Sequence, residues 1–402
     1  MSSDTVKEAT SSKKNKNTLN KNGFDQIGGS STSASTPSLT STSTSTSTST
    51  STSTSSSTSS STSYYITGFG PFGGVDDNPS STIIDSLQEL QKNHNNHNHN
   101  GDNEKQDGSI SGNGLHLLLS KIQYLNVVKV AAYSAKQEVE TIISLIRQRK
   151  CDRDRDHDHD HDRTPHTHTR DHAIILHLGV NHNLSMKTIP TIQLEQNAFN
   201  QAHFRIPDED GYQPVKELIV NHSNVNIDVD VEKVDVKVNE NDRVDEEQKR
   251  GTSTKGDRDR DRLTTDLNAK RIKGYLTDKH KLHADTGGKN PYEVALSGDA
   301  GRFVCNYIYY QSLYQIHQFH QEQEAQQQQQ QQRQGVQVHS LFVHVPTFDA
   351  IPKDAQVEFV LHLIEAVEDA VVAQDKKRMK LLQKQRKKKK EQQQRQQQQG
   401  EE

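Results

Sequence analysis

The stretch HAIILHLGV, residues 172–180, decides how the rest of the chain is read. It is an apolar run without a formal charge that ends at Gly179, too short for a buried helix. A run of this kind is a strand covered on both faces, as in a parallel sheet flanked by helices. Upstream, YYITGFG (64–70) is a second β-rich run ending in glycine, and NPSSTIIDSLQELQK (78–92) follows it. Asn78 and Ser80 are capping residues, Pro79 suits a first helical turn, and Ile83, Ile84, Leu87 and Leu90 form one helical face. YLNVVKVAAYS (124–134) reads as a strand, and the segment after it carries Val139, Ile142, Ile143 and Ile146 at helical spacing. Downstream, YEVALSGDAG (292–301) and VQVHSLFVHVP (336–346) are strand candidates. RFVCNYIYYQSLYQI (302–316) and KDAQVEFVLHLIEAVEDAVVA (353–373) are helix candidates. Strands alternate with helices throughout, which predicts an α/β sandwich with a mainly parallel sheet.

Much of the 402-residue chain cannot contribute to such a core. Only 29% of residues are hydrophobic, and Trp is absent. Residues 1–63 end in a Ser/Thr alternation, and four further segments are equally poor in apolar side chains: about 93–113, 152–171, 221–262 and the Gln run at 321–334. The tail 376–402 is basic and Gln-rich. Segments that bury so little surface do not offset their ordering entropy, so disorder is expected for all of them. What remains within 64–375 has the size of one ordinary domain, cut by surface insertions that loop-closure entropy tolerates. Within 221–262, NVNIDVDVEKVDVKV has a partial alternation that would suit a hairpin.

A net charge of −4 gives no overall basic field for nucleic acid. The N-terminus lacks the apolar run of a secretory signal, and no stretch approaches 18 apolar residues, so no membrane partner is expected. Two cysteines suit a reducing, cytoplasmic setting rather than a disulfide framework. The repeat HDHDHD (157–162) lacks the fixed spacing of a structural metal site, and KKRMKLLQKQRKKKK (376–390) reads first as a solvated helix extension. No metal or organic cofactor is expected, and the sequence assigns no oligomeric state.

In open α/β sheets ligands bind beyond the carboxyl ends of the strands, which directs attention to the loops after Ile66, Leu178, Leu296 and Val343. Cys305 falls in the first turns of a helix, where free N–H groups and the dipole favour a thiolate. His344 ends an apolar strand, and Glu195 follows the strand that ends at Gly179. Cysteine, histidine and carboxylate are the residue types of a nucleophile, its base and the base's orienting group. Asp208 and Glu209 are the competing carboxylates. Cys151, among charged residues, is an exposed bystander.

TGFGPFGGVDDNPS (67–80), LEQNAFN (194–200), FRIPDEDGYQP (204–214), SGDAGRFVCNYIYY (297–310) and FVHVP (342–346) resemble, in order, the motifs of the pyroglutamyl peptidase I family of cysteine peptidases. The resemblance implies a three-layer α/β/α sandwich and removal of N-terminal pyroglutamate from small peptides without a cofactor. It implies Cys305 as nucleophile, His344 as base and Glu195 as third member. Phe69, Phe72, Ile206, Phe303 and Val304 are implied around the lactam ring, with Val304 equally readable as core. Arg205 is implied near the site, either on substrate or paired with a carboxylate such as Asp208. The interval from Gly179 to Glu195 is longer than the family's usual one, which predicts a differently shaped loop. The rivals are a catalytically silent domain of this fold acting as an interaction scaffold, and an amidase for another small lactam.

Overall fold

A computed structural model describes residues 61–74, 77–97, 112–157, 170–187, 189–221, 262–285, 292–330 and 335–400. Residues 1–60 and most of the segments expected to be disordered, including the candidate hairpin, lie outside the described residues.

Six strands form the central sheet: β1 (Thr62–Phe69), β2 (Ile122–Val128), β3 (His172–Val180), β4 (Thr191–Glu195), β9 (Glu293–Ser297) and β10 (Gln337–Val345). Their order is β2-β1-β3-β10-β4-β9. The first four are mutually parallel, and β4 pairs antiparallel with β10. β9 is parallel to β4 and therefore also runs against the other four.

The apolar run of β3 lies at the centre because both of its faces are covered. Ile174, Leu176 and Leu178 meet a cluster built with α1 (Pro79–His97), α2 (Gly112–Lys121), α4 (Ala269–Asp285) and α6 (Lys353–Gly400). Ala173 and Ile175 meet a second cluster built with α3 (Ala132–His157) and α5 (Val304–Gln330). Helices on both faces of one mixed, mainly parallel sheet make the three-layer α/β/α sandwich. Four short strands lie outside the sheet: β5 (Asn197–Phe199) pairs with β8 (Arg262–Thr264), and β6 (Ala202–His203) with β7 (Val215–Glu217).

The residues after β1 are fastened by the start of α1. Asn78 caps the helix: its Oδ1 accepts from Ser80 N–H at 3.1 Å, while its Nδ2 donates to Gly70 O at 2.8 Å. The Ser80 hydroxyl accepts from Phe69 N–H at 3.0 Å. A side chain at Gly68 would meet Ser80 O at 2.3 Å, so only glycine permits this contact between strand and helix. The G-F-G…N-P-S spacing is thus a loop–helix clamp.

Three boundaries differ from expectation. Thr62 and Ser63, counted with the Ser/Thr region, already pair with β3. α5 continues through the Gln run to Gln330, and α6 continues to Gly400. Poverty in apolar side chains argues against a core, but Gln, Lys and Arg are good helix formers, and both segments prolong helices already nucleated in the domain. Beyond Asp375 the helix is exposed apart from half-buried Leu382. None of the helices among the described residues is long and apolar enough to cross a membrane.

Candidate active site

The site stands where β1, β3 and β10 end, on the face covered by α3 and α5. The strand register sets its rows. Gly179 pairs with His344, His344 with Gln193, and Gln193 with Ala295, forming a row at the mouth. One step deeper, Thr67, His177, Phe342, Glu195 and Ser297 form the next row. Phe69 lies one residue beyond the Gly68–Leu178 pair and so extends the mouth row on the β1 side.

Cys305 reaches this row by a detour. Because β9 is reversed, the chain leaves it in the deeper row, not at the mouth as a uniformly parallel sheet would require. Residues 298–303 carry it back, turning at Gly301 with φ +84°, before α5 begins at Val304. Cys305 is therefore in the first helical turn. The N–H groups of residues 304–306 precede the helical bond from Tyr307 N–H to Phe303 O and have no backbone partner among the described residues. The thiol rests on Gly179: a Cβ there would lie 3.1 Å from Cys305 Sγ and 2.7 Å from Phe342 Cζ. Glycine at that point makes room for the thiol.

His344 joins Cys305 to Glu195. Its Nδ1 is 2.7 Å from Glu195 Oε1, with Glu195 fully buried and His344 nearly so. This leaves Nε2 on the side of Cys305, whose thiol is among the groups that raise the imidazole's pKa. Burial alone would lower the His344 pKa. Hydrogen bonds to Cys305 and Glu195, together with their charges, outweigh burial and push it up to about 9. The imidazolium is thus the favoured form at neutral pH, and it is the form that supports a thiolate.

The strand exit after Glu195 is held by α5 itself. Tyr309 O–H donates to Glu195 O at 2.9 Å. Asn306 accepts from Phe199 N–H at 2.8 Å and donates to Phe199 O and Gln201 O. Helix α5 therefore carries Cys305 and also anchors the segment that follows Glu195. The competing carboxylates are engaged elsewhere. Asp208 accepts from the backbone N–H groups of Ala132, Asp210 and Tyr212, and Glu209 from Val130 N–H.

The segment between Gly179 and Glu195 is tied to the end of β10. Residues His182–Leu184 form a 3₁₀ turn. Ser185 Oγ accepts from Thr347 N–H at 3.0 Å, and Asn181 N–H donates to Val345 O at 3.1 Å, so the loop is fastened beside the end of β10.

The aromatic residues lie beside Cys305, but not all are equally open. Phe72 is half-buried with its ring 5.4 Å from that of Phe303, and Phe303 is 4.7 Å from Phe204. Phe69 is buried, and Val304 is fully buried in the α3/α5 core. Arg205 and Ile206 are exposed on the loop after β6, and Arg205 forms no ion pair with Asp208, whose carboxylate the backbone occupies. Cys151 is exposed near the end of the described part of α3, remote in sequence and element from the site.

His177 was not singled out by sequence reasoning. It is fully buried under Phe342, with Nδ1 2.7 Å from Thr67 Oγ1, and burial lowers its pKa to about 3. Its pKa is pushed down one row below an imidazole whose pKa is pushed up. Gly179 and Gln193 were also missed. The signal for Gln193 was present in the period-2 pattern of TIQLE, which places it on the face of Glu195. Among the described residues no group of three or more His, Cys, Asp or Glu side chains is arranged to hold a metal ion. Most of the His/Asp repeat lies outside them.

No family model matches the sequence, and no curated protein matches it. Solved structures do. The pyrrolidone carboxyl peptidase of Thermococcus litoralis is 18% identical with a TM-score of 0.43, covering 78% of this chain and 96% of its own. That of Pyrococcus furiosus is 19% identical with a TM-score of 0.42, covering 76% and 98%. The pyroglutamyl peptidase I of Bacillus amyloliquefaciens is 17% identical with a TM-score of 0.42, covering 76% and 97%.

Proposed function

We propose that this chain is a cysteine peptidase of the pyroglutamyl peptidase I type, which removes N-terminal pyroglutamate from small peptides. The observation that carries the proposal is the buried 2.7 Å contact of His344 with Glu195, which leaves the other ring nitrogen toward Cys305 in the first turn of α5, on the core face that also holds the Phe72, Phe303 and Phe204 rings. Pyroglutamate is an uncharged five-membered lactam, and an aromatic wall with few polar groups suits it.

In this mechanism the Cys305 thiolate attacks the carbonyl carbon of the pyroglutamyl residue. N–H groups at the start of α5 hold the developing oxyanion. The His344 imidazolium gives its proton to the leaving amine, the C–N bond breaks and a thioester remains. His344, now neutral, takes a proton from water. The hydroxide adds to the thioester, and pyroglutamic acid leaves as the thiolate is restored. Glu195 keeps the proton on Nδ1 and stabilises the imidazolium. No step calls on a metal or organic cofactor. Both cysteines are free, and a thiolate nucleophile suits the reducing cytoplasm, where we place the protein.

The test is hydrolysis of pyroglutamyl and prolyl coumarylamides by the purified chain. Turnover of the first, little of the second, and loss of both in Cys305→Ala is the expected result. A folded chain that alkylates at Cys305 yet cleaves neither substrate would overturn the proposal and favour the scaffold reading.

A further inference from the structure

We infer that Gln193 forms the subsite for the peptide backbone downstream of the scissile bond, and so favours peptides over small pyroglutamyl amides. The inference rests on the peptidase reading above and adds a direction to the substrate. The mouth row runs Phe69, Gly179, His344, Gln193, Ala295 across neighbouring strands. Cys305 Sγ sits on Gly179, so the attacked carbonyl lies over the β3 position. The aromatic side chains Phe69, Phe72 and Phe303 belong to the β1 side and the approach to α5. The lactam therefore extends toward β1. The leaving amine must meet the proton on His344, on the other side of Cys305, so the peptide leaves toward β10 and β4. The next side chain in that direction on the same face is Gln193.

Its chemistry fits that position. Ile192 and Leu194 face the opposite core, and Glu195 reaches His344, so alternation puts Gln193 on the catalytic face, nearer the mouth than Glu195. Across an antiparallel pair, register partners stand close, within about 5.5 Å between Cβ atoms. The Gln193 side chain is half-buried and has no hydrogen-bond partner among the described residues, and its outer neighbour in the row is the small Ala295. An unengaged carboxamide offers a donor and an acceptor side by side, the complement of a peptide unit. A coumarylamide has no peptide unit beyond the bond that breaks, so it cannot use this contact.

The experiment compares kcat/KM for a pyroglutamyl tripeptide amide and a pyroglutamyl coumarylamide in wild type, Gln193→Ala and Gln193→Met. The tripeptide should lose about five- to tenfold in both variants, the worth of one net hydrogen bond. The coumarylamide should stay within about twofold, with an unmoved alkaline limb in its pH profile. An equal loss on both substrates, or no loss on either, overturns the subsite assignment and leaves the peptidase reading intact. A wild-type protein inactive on both overturns the peptidase reading, and the subsite falls with it.

Discussion

Replacing Glu195 by glutamine tests the electrostatics of the site more sharply than removing the nucleophile. The shape is kept, and the amide oxygen still accepts from His344 Nδ1. What is lost is the negative charge, 2.7 Å from the imidazole and fully buried. His344 is raised from 6.5 to about 9, a preference for the charged form of about 3 kcal/mol at 1.36 kcal/mol per unit, supplied by Cys305 and Glu195 against burial. If Glu195 supplies a third or more of it, the variant's His344 titrates at least about one unit lower. Most of His344 still carries its proton at neutral pH, so the expected fall in kcat of about 10²-fold, the lower end of what a general base contributes, comes from the lost orientation and charge support of the imidazole and not from its protonation. KM should change little, because the aromatic wall is untouched. The alkaline limb of kcat/KM, expected near pH 9 in wild type where His344 loses its proton, should move toward neutrality.

Stability supplies a second readout. A group whose pKa is raised on folding stabilises most below its unfolded value, and that contribution is lost as pH climbs through the folded value. For His344 the window is about 6.5 to 9. In Glu195→Gln the contribution is smaller and its loss is complete at a lower pH. At neutral pH the melting temperature should fall, because the buried imidazolium loses its counter-charge 2.7 Å away. Steady-state kinetics on a pyroglutamyl coumarylamide from pH 6 to 10, with thermal melts, are the assays. Wild-type kcat together with an unmoved alkaline limb would refute the assignment of Glu195 and the reasoning behind it.

Gly179→Ala places a methyl 2.7 Å from Phe342 and 3.1 Å from Cys305 Sγ. Overpacking of this kind costs about 1–3 kcal/mol and displaces the thiol, so kcat should fall by about 10²-fold while iodoacetamide still labels Cys305. Asp208→Asn should lower the melting temperature, through weakened bonds to the start of α3, yet keep kcat within about threefold, as measured by calorimetry and kinetics on one preparation. Truncation after Asp375 removes a basic helix that is almost wholly exposed and keeps the 2.8 Å contact between Asp375 and His172. Melting temperature and kcat/KM should both be unchanged, and a loss of either would show that the extension contributes to the domain.

The layers of the fold were legible because they follow from periodicity. Runs such as 172–180 and 338–345 carry apolar side chains on both alternating faces and no formal charge, and the helices carry apolar stripes, so a sheet covered on both faces was the burial scheme they favoured. The direction of β4 and β9 was not legible. TIQLE is five residues long, and nothing within it states which neighbour it joins or in which sense. That one pairing settles what the sequence left open. Glu195, Asp208 and Glu209 lie within fifteen positions of one another and are chemically interchangeable as partners for an imidazole. Antiparallel pairing of β4 with β10 sets Glu195 opposite Phe342, two residues from His344 on the same face, close enough for the 2.7 Å contact. Asp208 and Glu209, beyond β6, turn instead to backbone N–H groups at the start of α3. The choice of the third residue is therefore made by strand pairing. Composition around the three carboxylates does not distinguish them. The same pairing sets Gln193 beside His344 at the mouth, so the orienting carboxylate and the proposed peptide contact depend on a single register. A one-residue slip of β4 would turn both side chains away from the site into the core on the opposite face.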